Sequence, residues 1–341
     1  MRKIFKILIL VFLIFFLFFI FFFFVGKTIP AEKIIFGINF SQKQAFYFGL
    51  DWKEVYLALL DNLKVKNIKL ATYWDLIENK KDEFNFEDLD WQIEEAEKKN
   101  LKILLVLGMK SPRWPECHLP DWAKNLKKEE QQKEILELIE AIVLRYKDSP
   151  AIETWQIENE PFFPFGQCPW VDKNFLKKEI KLVKSLDKRS VLISDSGEGS
   201  FWIQAAKYGD LIGTTMYKRV YFYPNPIYRF FPKFPRFGFY IHYPFPPVFY
   251  YRKMKLIEFL FQKKVICIEL QAEPWGPKLI WDLPLKEQEK TMDLEKFKYN
   301  IEFAKKTGIS KFYLWGGEWW YWLKEKQNRP EIWEEAKKLF K

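Results

Sequence analysis

The chain has 341 residues, enough for one large domain or two modest ones, and with 49% hydrophobic and 29% charged residues its composition is globular and excludes a disordered chain. A formal net charge of +10 raises nucleic-acid binding. However, the lysines are interleaved with glutamates on helical stretches such as Glu94, Glu95, Glu97, Lys98 and Lys99, and no zinc-finger, helix-turn-helix or RNA-binding signature is present, so no nucleic-acid partner is expected.

Arg2, Lys3 and Lys6 precede an unbroken apolar run over residues 7–25. At a helical rise of ~1.5 Å per residue this run spans about 28 Å, close to a bilayer's hydrocarbon core. The basic flank predicts a cytoplasmic start and an exported body. Residues 1–30 are therefore read as a membrane anchor. Cleavage and secretion form the alternative, but Gly26-Lys27-Thr28-Ile29-Pro30 holds no evident small-x-small cleavage site. Export makes disulfides permissible. Cys267 lies in an apolar run and reads as a buried hydrophobe, whereas Cys117 and Cys168 lie in loops and are either free or bridged.

From residue 31 to 341 apolar strand-like runs alternate with amphipathic stretches. The predicted strands are 34–39, 68–72, 101–108, 152–158, 190–195, 211–217, 265–269 and 311–315. Predicted helices cover 52–64, 86–99, 133–145, 174–185, 201–207, 252–262, 294–306 and 330–340. Strands that each precede a helix, without a Gly-rich dinucleotide loop, predict an α/β fold: one (β/α)8 TIM barrel. Residues 218–251, dense in Tyr, Phe and Pro, are too long for an ordinary strand-to-helix connection. They read as a lid over the site, a surface resting on the membrane, or a packing flap.

In such barrels chemistry sits where strands end. After the fourth strand comes Asn159-Glu160-Pro161, and the seventh ends in Glu269-Leu270-Gln271-Ala272-Glu273. Two carboxyls converging from these ends suit glycosidic cleavage: one protonates the leaving oxygen, and the other attacks the sugar or activates water. Trp74, Trp114, His118, Tyr217 and Trp315 border the same face, as substrate-binding walls or as packing. With only two histidines no His-based metal site is expected. No cofactor is expected either.

The string Trp155-Gln156-Ile157-Glu158-Asn159-Glu160-Pro161 resembles the strand-four motif of clan A glycoside hydrolases. The resemblance implies that Asn159 contacts the sugar 2-hydroxyl and that Glu160 is the acid/base. Two further segments resemble family 42 and related β-glycosidases: Tyr73-Trp74-Asp75-Leu76-Ile77-Glu78 with the run 84–90, and Ser111-Pro112-Arg113-Trp114-Pro115. The register of the seventh strand implies Glu269 as nucleophile, with Glu273 as the alternative. Tyr217 stands where relatives place a Tyr or His bonded to the nucleophile, and Trp315 where a sugar platform lies. Lys69 departs from the pattern, because relatives carry an arginine there and lysine lacks its bidentate fork. The resemblance implies a retaining hydrolase of β-linked carbohydrate, which the N-terminal segment is expected to place outside the cell. The alternatives are a catalytically silent carbohydrate-binding or scaffold barrel, and a transglycosidase.

Overall fold

The computed structural model describes residues 2–223 and 237–340. Eight parallel strands close a barrel: β1 (Ile35–Asn39), β2 (Asn67–Ala71), β3 (Lys102–Leu107), β4 (Ile152–Ile157), β5 (Val191–Asp195), β6 (Leu211–Met216), β9 (Val265–Gln271) and β10 (Lys311–Trp315). Between β6 and β9 a two-stranded antiparallel hairpin, β7 (Arg219–Phe222) and β8 (Phe239–His242), stands outside the barrel. The barrel strands are covered on both faces, which is why they read as short apolar runs. Leu104, Leu192, Ile266, Ile268 and Tyr313 fill the interior. A larger core packs between the strands and the surrounding helices.

The helices are α1 (Arg2–Phe24), α2 (Gln42–Tyr47), α3 (Trp52–Asp61), α4 (Trp74–Ile77), α5 (Glu87–Lys98), α6 (Lys128–Tyr146), α7 (Lys173–Leu186), α8 (Ile203–Tyr208), α9 (Pro247–Phe261), α10 (Leu285–Gln288), α11 (Leu294–Lys305), α12 (Gly317–Gln327) and α13 (Glu331–Ala336). Local chemistry starts several of them. The Asp51, Asp172 and Asp293 side chains accept backbone N–H groups at the starts of α3, α7 and α11.

Two helix starts differ most from expectation. Helix α6 begins at Lys128, before the predicted 133, because Glu130 caps the Lys127 N–H and extends the first turn. Helix α9 begins at Pro247, inside the stretch read as loop; proline is preorganised for a first helical turn. Residues 224–236 of that stretch lie outside the described residues, and its described parts are the β7–β8 hairpin and the start of α9.

Helix α1 includes an apolar stretch over residues 4–24, long enough to cross a bilayer. Its last turn packs on the barrel's outer layer. Phe23 is buried against Phe201 and Phe249, and the Arg252 guanidinium lies 4.9 Å from the Phe22 ring centre.

Candidate active site

Backbone geometry first sets the ends of β4 and β9. Beyond β4, Glu158 and Glu160 adopt φ of 57° and 44°, a left-handed conformation that costs a non-glycine residue about 1–2 kcal/mol. The turn is pinned by its neighbours. The Glu160 N–H donates to Ser194 Oγ at 2.8 Å, and Lys110 Nζ donates to the Glu160 carbonyl at 3.0 Å and the Phe163 carbonyl at 2.8 Å. Glu158 turns the other way, accepting from the Met109 and Lys110 N–H groups beside Glu179.

In β9 the register against β6 steps from Thr214↔Cys267 to Thr215↔Glu269. The register against β10 steps from Phe312↔Cys267 to Leu314↔Leu270. One extra residue is therefore accommodated near Ile268, a β-bulge that resets which face the next side chain takes. Ile266 and Ile268 fill the interior, and Glu269, which simple alternation would turn outward, reaches Lys69 across the barrel at 3.0 Å.

The two carboxyls sit in different surroundings. Glu269 is 3% exposed and is held by Lys69 on one oxygen and by the Tyr217 hydroxyl on the other at 2.9 Å. Glu160 is 8% exposed and, among the described residues, accepts only from Thr215 Oγ1 at 3.2 Å. Burial, then the neighbouring Glu269 charge, hold its carboxyl well above the usual range, with Glu116 and Glu198 adding to the effect and Lys110 opposing it. Thr215 is the register partner of Glu269, so the hydroxyl bonded to Glu160 adjoins the strand position of the second carboxyl.

Asn159 is buried; its amide N–H donates to Glu116 Oε2 at 3.2 Å and its carbonyl accepts from Gln156. Tyr217 meets Glu269 with its hydroxyl, while its backbone N–H donates to Glu198. Glu273 is engaged elsewhere. Arg113 donates one arm to it and the other to Glu318 at 2.9 Å, and the same guanidinium lies 4.0 Å from the Trp315 ring centre.

His118 is buried, its Nδ1 3.0 Å from Lys43 Nζ and its Nε2 3.2 Å from the Arg113 carbonyl. Burial and the Lys43 charge push its imidazole down to about 3, which fits a neutral ring donating from Nε2. Trp74 is fully buried against Trp122 with its indole N–H on Glu78, so it lies in the core. Trp114 is 41% exposed and meets Phe165. Phe165 in turn packs on Trp275, and Trp275 on Tyr217, giving an aromatic wall beside Glu269. Glu116, Lys110, Thr215 and Trp275 are contacts that strand-end reasoning passes over. Loops and bulges supply them, and the nearest sequence signal is the density of Pro112, Pro115 and Cys117 around Glu116.

Cys117 and Cys168 are bonded, with Cα atoms 5.1 Å apart. The bridge joins the loop after β3 to the loop after β4. Cys267 is free and buried.

The family profile of glycoside hydrolase family 42, described as β-galactosidase, matches residues 51–188. A mannan endo-1,4-β-mannosidase A from Emericella nidulans is 29% identical over 153 residues, which are 40% of this chain and 39% of that enzyme. The chain thus spans about two fifths of that relative's length. Among solved structures, a GH5_18 enzyme from Streptomyces cattleya in complex with GlcNAc superposes with a TM-score of 0.57 at 10% identity, over 84% of this chain and 70% of that one. Xylanase 10B from Thermotoga petrophila RKU-1 does so at 0.52 and 14% identity, over 86% of each chain. The chain has the (β/α)8 fold of the clan A glycoside hydrolases.

Proposed function

We propose that the protein is a retaining glycoside hydrolase acting on β-linked carbohydrate, with Glu160 as acid/base and Glu269 as nucleophile. The observation that carries this reading is the unequal treatment of two buried carboxyls at the ends of β4 and β9. Glu269 receives a lysine ammonium and a tyrosine hydroxyl, the donors that keep a carboxylate ready to attack. Glu160 receives, among the described residues, one neutral hydroxyl, and burial with the nearby Glu269, Glu116 and Glu198 carboxyls outweighs the Lys110 charge, the setting that keeps a proton for a leaving oxygen. In a retaining cycle Glu269 attacks the anomeric carbon as Glu160 protonates the departing oxygen. Water, deprotonated by Glu160, then releases the sugar from Glu269.

The test is a panel of aryl β-glycosides, galactosides, mannosides and xylosides included, with the product anomer followed by NMR. Retention in the wild type, with a loss of about 10²–10⁴-fold in kcat/KM for Glu160→Gln on substrates with poor leaving groups, is expected. An inverted first product removes Glu269 as nucleophile, and unchanged turnover removes Glu160 from the mechanism. Longer products in the presence of sugar acceptors would instead mark a transglycosidase.

The same reading holds α1 as a retained anchor with the barrel outside the cytoplasm. Support comes from the burial of Phe23 on the barrel and from the Cys117–Cys168 bridge. The mass of the mature protein in membranes tests it, because loss of residues 1–30 means a cleaved signal.

A further inference from the structure

Glu116 is not among the groups the mechanism above uses, yet it lies within the same buried cluster. The loop after β3 turns it inward. Lys110 and Cys117 bridge across the loop, the Glu116 carbonyl accepts from the Ser111 N–H at 2.8 Å, and its own N–H donates to the Arg113 carbonyl at 2.7 Å. Glu116 has φ of 74°, a left-handed conformation that glutamate adopts only when its surroundings impose it. Its neighbour Cys117 is bonded to Cys168 in the loop after β4. A side chain at Gly166 in that second loop would bring its Cβ to 2.5 Å from the Glu116 Cβ, so the two loops press directly on it.

The groups that face Glu116 come from four strand ends. Asn159, beyond β4, donates its amide to Oε2, and Glu160 follows it. Glu269 approaches from β9, Lys69 from β2, and Lys110 from beyond β3. A carboxyl that accepts from a neutral amide, in a site already holding two others, is expensive to bury. A glutamine in its place would accept from Asn159 equally well, so packing alone does not call for the charge.

We propose that Glu116 is a positioning residue of this site: its carboxyl fixes the Asn159 amide beside Glu160 and sets a third carboxyl against Glu160 and Glu269. The inference rests on the reading of Glu160 as acid/base. Burial, with Glu269 adding and Lys110 opposing, pushes the Glu116 carboxyl up to about 8. Near neutral pH the Glu116 carboxyl therefore holds a proton, and its charge, once that proton leaves, strengthens the hold of Glu160 on its own.

Two variants separate orientation from charge, with kcat/KM profiled over pH. Glu116→Gln keeps an acceptor for Asn159 and removes the charge, so the alkaline limb should move by about half a unit or more toward lower pH. Glu116→Ala removes both and should lower kcat/KM about tenfold beyond any loss of folded protein. Infrared titration of protonated carboxyls supplies a readout free of substrate: wild type minus Glu116→Gln should show one carboxyl band disappearing between about pH 7 and 9. Superimposable pH profiles for wild type and Glu116→Gln, or identical infrared titrations, overturn the proposal. An active wild type whose Glu160→Gln variant is unimpaired overturns the underlying mechanism instead. If the wild type turns over no glycoside, that reading fails and the infrared titration alone decides whether Glu116 holds the proton.

Discussion

Replacing Cys117 and Cys168 together by serine opens a loop whose ends are 51 residues apart in sequence. Cross-linking a loop of that length removes chain entropy from the unfolded state worth about 4 kcal/mol at 25 °C. For a body of this size, with an unfolding entropy near 2 cal/mol/K per residue, that is about 6 °C in Tm. The bridge also staples the loop carrying Trp114 and Glu116 to the loop that follows Glu160. Activity should therefore fall by more than the folded fraction does. Urea unfolding of the oxidised wild type and the double variant reads the first effect, and kcat/KM well below the melting transition reads the second. A difference below about 1 kcal/mol refutes the chain-entropy account, and unchanged kcat/KM refutes the coupling of the bridge to the site.

Lys69→Met leaves Glu269 as a buried carboxylate without its cation and should cost about 3–5 kcal/mol in urea unfolding; a cost under 1 kcal/mol means that Glu269 does not depend on the ion pair. Glu269→Ala should lower kcat at least about 10³-fold with partial recovery in azide, whereas Glu273→Ala should chiefly reduce stability, because Glu273 is bound to Arg113; the reverse pattern exchanges their roles. Between pH 5 and 7 stability should decline as pH rises. Glu116, Glu160 and Glu318 have carboxyls raised in the folded state, chiefly by burial, so the folded protein holds protons that the unfolded chain has released. Glu116→Gln should flatten that slope and gain up to roughly 3 kcal/mol at pH 7, and an unchanged slope removes Glu116 from the titration.

The barrel was legible because each strand is a short apolar run bounded by polar loops, and each following helix carries its own amphipathic period. All eight barrel strands fall within two residues of their predicted bounds. The fourth-strand motif stood out because its residues are contiguous. What stayed hidden depends on contacts distant in sequence. The bulge in β9 has no composition of its own, yet it turns Glu269 toward Lys69 and carries the strand on to Gln271. Helix α12, a Trp-rich run after two glycines, supplies Glu318, whose two oxygens meet the Ser41 N–H and Arg113. By its place after β2, Trp74 reads as a wall of the cleft or as packing; the single turn of α4 directs it into the core, where Glu78 satisfies its N–H. Periodicity cannot mark a loop residue such as Glu116, whose place is fixed by a bridge to another loop.

The division of labour between the two proposed catalytic carboxyls follows from where two lysines direct their N–H groups. Lys69 and Lys110 both lie near the cluster of Glu116, Glu160 and Glu269. Two cations against three carboxylates leave one charge uncompensated, and a buried cluster lowers its cost by holding one proton. Lys69 bonds directly to Glu269, so that carboxylate is compensated where it sits. Lys110 directs its ammonium to the backbone carbonyls of Glu160 and Phe163. It therefore braces the turn that carries Glu160 without forming an ion pair with its side chain. A direct Lys110–Glu160 pair would favour the ionised acid and remove the proton that leaving-group departure needs. Because Lys110 binds the backbone and not the carboxyl, the same residue fixes the position of Glu160 and leaves it protonatable.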